Sequence, residues 1–361
     1  MNRDVSLIPT VIPEDKKWMA RAIRLSHRGF TAPNPHVGCV IVKNDYSVGE
    51  GFHAFAGGPH AEIVALKKAG LAAEGSTVYV TLEPCDHYGR TPPCSKALIE
   101  AGVSRVVIAV PEPNQTAAGG SERLRGARIE VVEGVLAEEA WEANKVWLTA
   151  IRRQRPYVLV KVGCSLDGRI ALANGESQWI TSEASRKMGH RLRAEMGAIL
   201  VGRRTAELDH PSLTSRIRGV RNPPNRIVID PEGKLGPTGN LKDPLESDLI
   251  IHRVGIGHGI ELLNPDESDF ENISRLLTVL FDHGVRSLMI EGGSNTISRF
   301  IQSNFVDRIE LFVSGKMLFN GLSWLQGPME SLALAPHWRF LKIQKIGADV
   351  RVILEPDETA S

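Results

Sequence analysis

The sequence is short of several things that would place a chain in a class at once. It has only four cysteines, Cys39, Cys85, Cys94 and Cys164, in 361 residues. That is too few for a disulfide-stapled secreted scaffold and fits a reducing compartment. Neither sign of charge is in excess, since 43 basic and 42 acidic residues leave a formal net charge of +1. No long-range field therefore draws the chain to nucleic acid or to an anionic membrane. Aromatic residues are 6% of the total, sparse for the stacking platforms that hold single-stranded nucleic acid. No apolar run reaches the roughly 20 residues of a membrane span. Met1 to Glu14 lack the apolar core of a secretory leader, so a cytoplasmic protein is expected. Internal repeats, heptads and low-complexity tracts are also missing. What remains is 42% hydrophobic and 24% charged, the balance of an ordinary globular protein. At about 150 residues per domain, its length implies roughly two domains.

The stretch with the most chemistry runs from His60 to Cys94. It opens with His60-Ala61-Glu62, crosses an apolar run, and closes with Pro84-Cys85 and, with eight residues between, Cys94. One imidazole and two thiolates are the donors a catalytic zinc keeps when its fourth position is left for water. Glu62, two residues after the histidine, is placed to move protons without being a ligand. This order is the signature of zinc deaminases, whose familiar form has two residues between its cysteines. The longer spacing here inserts a loop with His87 and Arg90 beside the metal. Taken singly, a histidine is most often a surface or core residue, and Cys85 a small buried hydrophobe. The ordered set is much harder to explain that way.

Periodicity places these residues. Asp15 to Arg28 carries a helical apolar stripe of Trp18, Met19, Ala22, Ile23 and Leu25, and the prolines of Thr31 to Pro35 end it. Val37 to Val42 reads as a buried strand followed by a turn at Lys43-Asn44-Asp45. A helix opens at His60 and runs to about Lys68. Thr77 to Leu82 and Val103 to Val110 read as strands, with a helix over Ser95 to Ala101 between them. Strand–helix alternation argues an α/β sheet with helices on both faces. Ala137 to Ile151 reads as one helix, stopped by Arg152-Arg153-Gln154-Arg155-Pro156, a domain junction. Beyond it, strands are expected at Tyr157 to Val162, Ala198 to Gly202, Arg226 to Asp230 and Ser287 to Ile290. A helix is expected over Ser182 to Arg193, and a loop from Thr205 through Asp209 and Leu213 to Arg216. The last strand leads into Glu291-Gly292-Gly293-Ser294-Asn295-Thr296. Paired glycines before a helix can bring backbone N–H groups against phosphate, but they do not form the dinucleotide fingerprint and by themselves mark only a tight turn.

Several motifs together resemble the bifunctional riboflavin-biosynthesis deaminase–reductase family. They are Pro33-Asn34-Pro35-His36-Val37-Gly38, His60-Ala61-Glu62, Tyr79-Val80-Thr81-Leu82-Glu83-Pro84-Cys85 and Ser165-Leu166-Asp167-Gly168-Arg169, and their span covers nearly the whole chain. The resemblance implies an α/β protein in which a cytidine-deaminase-like three-layer sandwich (1–152) precedes a dihydrofolate-reductase-like α/β domain (153–361). It implies one zinc per chain on His60, Cys85 and Cys94, with Glu62 as the catalytic acid/base. NADPH would contact Gly163, Trp179, Thr205, Asp209 and Gly293, Ser294, Asn295, Thr296 and Arg299. A phosphorylated pyrimidine would meet Asn34, His53, His87 and Arg90 in the first domain. In the second it would meet Ser177, Arg193, Leu213, Arg216 and Glu291. Arginine forks suit phosphate, which marks Arg90, Arg193 and Arg216 as phosphate clamps, and Glu291 suits sugar hydroxyls. Deamination of the phosphoribosyl diaminopyrimidine would be followed by NADPH-dependent reduction of its ribosyl group to a ribityl chain. Neither nucleic acid nor membrane is expected as a partner, and a homo-oligomer is allowed.

The chain departs from the family pattern in four places. It reads Glu112-Pro113-Asn114-Gln115 for Asp-Pro-Asn-Pro, and Arg204-Thr205-Ala206 for Gly-Thr-Val. His210 replaces a second aspartate after Asp209. Pro231 and Glu232, then Lys234, replace a serine and basic residues after Asp230. The last change removes a hydroxyl and a cation from the place where the adenosine phosphate of NADPH is expected, leaving Arg204 or Lys234 to compensate. A rival reading is a zinc deaminase acting on another nucleotide or on a nucleic-acid base, with a degenerate, non-catalytic second domain.

Overall fold

The structure, a computed structural model, describes residues 11–89, 92–235, 241, 248–253 and 260–357. It divides into two compact units, Met1–Arg152 and Arg153–Ser361.

The first unit contains, in chain order, α1 (Pro13–Ser26), β1 (Gly38–Lys43), β2 (Tyr46–Phe52), α2 (Ala61–Ala69), β3 (Thr77–Leu82) and α3 (Cys94–Glu100). These are followed by β4 (Arg105–Val110), α4 (Gly120–Gly126), β5 (Glu130–Glu133), α5 (Ala137–Ala143) and α6 (Lys145–Arg153). The strands form one sheet in the order β2-β1-β3-β4-β5. β1 runs antiparallel to β2 and β3, and β3, β4 and β5 are mutually parallel. Because strand side chains alternate between faces, the sheet sorts its own core. Val40, Val42, Tyr79 and Val107 face Met19, Ala22, Ala140 and Leu148 of α1, α5 and α6. Cys39, Ile41, Val80, Val106 and Ile108 face Ala61, Ala65, Leu98 and Leu124 of α2, α3 and α4. The result is the three-layer sandwich expected from the alternation. Cys39 is fully buried in it.

The turn expected at Lys43-Asn44-Asp45 is present, and one local expectation is corrected. The turn after β1 leads into β2, a Gly-containing edge strand whose apolar signal is too weak to read. The single helix expected over Ala137 to Ile151 is two helices, broken at Asn144. The Asn144 side chain is buried and spends both its polar atoms on His36, accepting from its N–H and donating to its carbonyl, each at 2.7 Å.

The second unit contains β6 (Tyr157–Cys164), β7 (Arg169–Ala171), α7 (Glu183–Glu195), β8 (Ala198–Gly202), α8 (Arg203–Asp209), β9 (Asn225–Ile229), β10 (Leu249–Arg253) and β11 (Ile260–Leu263). It continues with α9 (Asp269–Asp282), β12 (Ser287–Ile290), α10 (Ser294–Gln302), β13 (Arg308–Val313), β14 (Leu322–Ser323), β15 (Trp338–Ile346) and β16 (Asp349–Pro356). Nine of these strands form one sheet, ordered β11-β10-β9-β8-β12-β6-β13-β16-β15. Its pairs from β11 to β13 are parallel, and β16 and β15 close the edge antiparallel. The central strands are continuous apolar runs, as parallel strands covered on both faces must be, and they pack on Leu276, Leu280, Ile297 and Phe300 of α9 and α10. Thr205 and Asp209, expected in a loop, lie on α8. No helix among the described residues is long and apolar enough to cross a membrane.

Candidate metal centre and cofactor cleft

Strand register assembles the site of the first unit. β1 starts where β3 and β2 end, with Cys39 opposite Val80 and Gly38 opposite Phe52. The segments just outside those three points therefore converge: Asn34 before β1, His53 after β2 and Cys85 after β3. α2 then brings in its first turn at very close range. A Cβ on Gly51 of β2 would lie 2.0 Å from the Ala61 carbonyl, so only glycine lets the helix start there. His60 is the N-cap of α2, and Cys94 is the first residue of α3.

His60, Cys85 and Cys94 offer Nδ1 and two Sγ atoms that all lie within 4.8 Å of one another. His60 Nδ1 is 3.2 Å from Cys94 Sγ and 3.6 Å from Cys85 Sγ. Tetrahedral zinc, with bonds of about 2.1 Å to nitrogen and 2.3 Å to sulfur, holds its ligands about 3.6–3.8 Å apart. The donor set and its spacing therefore fit zinc. Electrostatics agree. The hydrogen bond from Cys94, then those of His60 and the Cys94 N–H, outweigh burial and pull the Cys85 thiol down to about 4. Cys94 is pushed up by the same hydrogen bond and by burial, so one thiolate persists without effort in a pocket suited to a cation.

Glu62 is buried in the first turn of α2, and its carboxyl is in hydrogen-bond contact with Cys94. Burial raises its pKa, with the His60 charge pulling the other way. His53 is buried with its ring edge-on to His60, centroids 5.7 Å apart. Its Nδ1 faces the Pro59 carbonyl at 3.1 Å, which assigns the ring proton to that nitrogen and leaves Nε2 to accept from Asn34 Nδ2 at 3.1 Å. Burial lowers the His53 pKa, so the ring is a neutral relay that fixes the Asn34 amide. His87 stands on the loop after Cys85, its Nδ1 buried and without a hydrogen-bond partner among the described residues. Arg90 lies outside the described residues. Two acids that sequence reading passed over buttress the same end of β3. Glu83 accepts the N–H groups of Glu112 at 3.0 Å and Ser121 at 2.9 Å. Burial first, then Glu83 and Cys85, push the Glu112 carboxyl up to about 7.

In the second unit a cleft of about 800 Å³ opens at the carboxyl ends of β6, β8, β9 and β12, where open α/β sheets bind their ligands. Gly163, Ser177, Thr205, Asp209, Glu291, Gly293, Ser294, Asn295, Thr296 and Arg299 all line it. Gly293 is the N-cap of α10, and the first-turn N–H groups of that helix form an anion-binding end. The β8–α8 and β12–α10 turns approach so closely that a Cβ on Gly202 would lie 2.7 Å from Thr296 Oγ1. In the same β12–α10 turn, Glu291 is gripped by both prongs of Arg193, at 2.5 and 2.9 Å. Lys161, on β6 and lining the cleft, adds a contact of 3.6 Å. Burial alone would raise the Glu291 carboxyl, and the charges of Arg193 and Lys161 outweigh it and hold the group at about 2.

Four expected residues do not line the cleft. Arg193 is spent on Glu291 and on the Thr214 carbonyl rather than standing open to phosphate. Leu213 is buried packing with a positive φ of 47°. Arg216 stands near His190, whose pKa it helps to lower after burial and Arg193. Trp179 is 61% exposed under the Arg186 guanidinium, and its carbonyl accepts from Lys316 Nζ at 2.6 Å. Lys161 was missed, although a single charge inside the buried run of β6 was a usable signal.

Residues 12–110 match the model of the cytidine and deoxycytidylate deaminase zinc-binding region, and residues 156–352 match that of the RibD C-terminal domain. The riboflavin biosynthesis protein RibD of Aquifex aeolicus (strain VF5) is 40% identical over 349 residues, 94% of this chain and 98% of that one. RibD of Escherichia coli (strain K12) is 41% identical over 361 residues, covering 93% and 98%. Among solved structures, Acinetobacter baumannii RibD, form 1, superposes with a TM-score of 0.87 at 38% identity, covering 96% of this chain and 99% of that one. A diaminohydroxyphosphoribosylaminopyrimidine deaminase / 5-amino-6-(5-phosphoribosylamino)uracil reductase from Thermotoga maritima gives 0.82 at 34% identity, covering 95% and 99%.

Proposed function

Because the chain belongs to the RibD family of bifunctional riboflavin-biosynthesis deaminase–reductases, we propose a role for each of the residues just described. The first unit deaminates a diaminopyrimidine bearing a phosphoribosylamino group. The second reduces the ribosyl chain of the resulting uracil to ribityl. His60, Cys85 and Cys94 would hold zinc, and Gly163, Thr205, Asp209 and the start of α10 would hold NADPH. Bound zinc supplies Lewis-acid activation of water, and bound NADPH supplies the hydride.

The protein's own part in deamination is proton handling. Glu62 takes a proton at its carboxylate from the attacking water and returns one to the amino nitrogen that departs as ammonia. Its burial keeps bulk water from competing for those transfers. Asn34, fixed by the neutral His53, orients the pyrimidine through its remaining amide valences, and His87 presents its unpartnered Nδ1 to the same side. In reduction, Glu291 stays ionised between Arg193 and Lys161 and accepts hydrogen bonds from the sugar hydroxyls. The N–H groups at the start of α10 take the cofactor diphosphate.

The His60–Cys85–Cys94 cluster with Glu62 buried beside it carries the deaminase reading, and the Glu291 end of the cleft carries the reductase reading. Purified protein given the diaminopyrimidine phosphate should release ammonia without NADPH and form the ribityl product only with it, as read by mass. Glu62→Gln keeps the side-chain size and removes the base, so deamination should fall roughly 100- to 10,000-fold. The same variant should still oxidise NADPH when given the deaminated substrate. Loss of both activities in a folded Glu62→Gln protein would refute the two-site assignment.

A further inference from the structure

The loop from Pro211 to Ile217, between α8 and β9, is pinned in place by side chains from both α7 and β9. Leu213 is buried with a φ of 47°, a left-handed conformation that a bulky residue keeps only where its neighbours impose it. The carbonyls on either side of it are fixed. The Ser212 carbonyl accepts from Nη1 of the buried Arg226 at 2.9 Å. The Thr214 carbonyl accepts from two residues about one turn apart on α7, His190 Nδ1 and Arg193 Nη1, each at 3.3 Å. Ser215 Oγ donates to the His190 carbonyl at 3.0 Å and accepts the Ile217 N–H at 3.2 Å. Arg193 is engaged elsewhere through its other two nitrogens, which hold Glu291. His190 is different. Burial, then Arg193, lower its pKa, so near neutral pH the ring is uncharged and its one proton is the Nδ1 proton that the carbonyl takes.

Arg216 follows two residues after Thr214. It is exposed, it lies close enough to His190 to act on its charge, and among the described residues no carboxylate is within ion-pair distance of it. In the functional reading above, on which this inference rests, Glu291 meets the sugar hydroxyls of a phosphorylated substrate. Arg193 ties the loop to that carboxylate, so the Arg216 guanidinium stands on the sugar side of the site, where a substrate phosphate suits it. We propose that His190 is a positioning residue of the reductase: its Nδ1–H, given to the Thr214 carbonyl, fixes the loop so that Arg216 meets the substrate phosphate. The ring acts through the loop and adds no charge of its own.

Steady-state reduction of the deaminated ribosylamino-uracil, supplied with and without its phosphate, tests this in the full chain. His190→Ala removes the donor and leaves the backbone bond to Ser215 in place. KM for the phosphorylated substrate should rise roughly three- to tenfold, the worth of one neutral hydrogen bond, with kcat little changed. KM for the substrate lacking phosphate should match that of the wild type. His190→Asn sets an amide N–H where Nδ1 stood and should restore the wild-type KM. His190→Gln, whose amide reaches the Nε2 position instead, should not. An unaltered KM in His190→Ala, an equal rise with both substrates, or no rescue by asparagine would overturn the assignment of His190. A wild type whose KM ignores the phosphate would overturn it through Arg216. A wild type that reduces neither substrate would instead overturn the functional reading on which the inference stands.

Discussion

The two sites are built on opposite principles. The deaminase centre draws its donors from one short stretch, His60 to Cys94, and crowds three of them within 4.8 Å. The reductase cleft gathers groups from Lys161 to Gln326, with residues of three helices among them, and its buried carboxylate Glu291 is neutralised by Arg193 and Lys161. The first arrangement is a ligand set that needs a cation to be complete, since two thiols and an imidazole otherwise compete for the same protons. In the second, the buried Glu291 is matched within the protein by Arg193 and Lys161. The first site would take its charge balance from a metal, whereas Glu291 in the second takes it from the protein.

The sharpest way to break the comparison is to remove the metal. Dialysis against a chelator, or Cys85→Ser and Cys94→Ser, should take zinc from about one per chain to nearly none, because thiolates would supply two of its three proposed protein ligands. Deamination should vanish with it, and added Zn²⁺ should restore it in the dialysed protein alone. Reduction of the deaminated substrate should be unaffected, since the sites share no residues. Metal analysis alongside both assays decides the matter. Zinc retained in both serine variants would sink the ligand assignment.

The same contrast explains what was legible in the sequence. The metal set could be read because its chemistry demands particular residue types at short spacing, and the strand–helix alternation around it fixed the layering. Asn144 was not legible. Nothing in Ala137 to Ile151 interrupts the helical pattern, and the break follows from a partner, His36, that lies far away in sequence. Thr205 and Asp209 were misplaced onto a loop because α8 is a single short element between a glycine and a left-handed His210. In the reductase cleft the glycine pair was weak evidence until the fold put it at the carboxyl end of β12. Arg203 and Glu232 are separated by 29 positions, and their ion pair exists only because β8 and β9 are parallel neighbours.

Acidity should separate the units in a second way. The Glu291 carboxyl is held at about 2 in the folded protein, against 4.5 for the unperturbed group. A depressed carboxylate contributes stability that is fully present above the unfolded value and is lost as pH falls through the folded one. The contribution should therefore fade between pH 4.5 and about 2. Glu291→Gln leaves Arg193 buried without its partner and should cost roughly 3–5 kcal/mol near neutral pH. The gap between variant and wild type should then close on acidification across that window. Calorimetric scans at several pH values measure it. A gap independent of pH would mean that the ion pair is not what stabilises this end of the cleft.

The smallest effect expected is at Asn144, and it tests whether the first site relies on its metal alone. The Asn144 amide satisfies both backbone groups of His36. It thereby anchors the far side of the turn in which Asn34 N–H donates to the Thr31 carbonyl at 2.7 Å and Thr31 Oγ1 donates to the Asn34 carbonyl at 2.9 Å. Asn144→Ala leaves a buried donor and a buried acceptor unpaired, each a loss of about 1–3 kcal/mol, partly recovered if water enters. The first unit should therefore lose about 2 kcal/mol of stability. His60, Cys85 and Cys94 stand on other elements, so zinc content should hold at the wild-type level. Asn34 loses its anchorage but not its side chain, so KM for the diaminopyrimidine should rise while kcat changes little. Asn144→Asp retains the acceptor for the His36 N–H and sets a carboxylate oxygen against the His36 carbonyl, so it should not rescue. Unchanged stability and KM in Asn144→Ala would show that the metal alone suffices to hold the site, and that the bond to His36 is incidental.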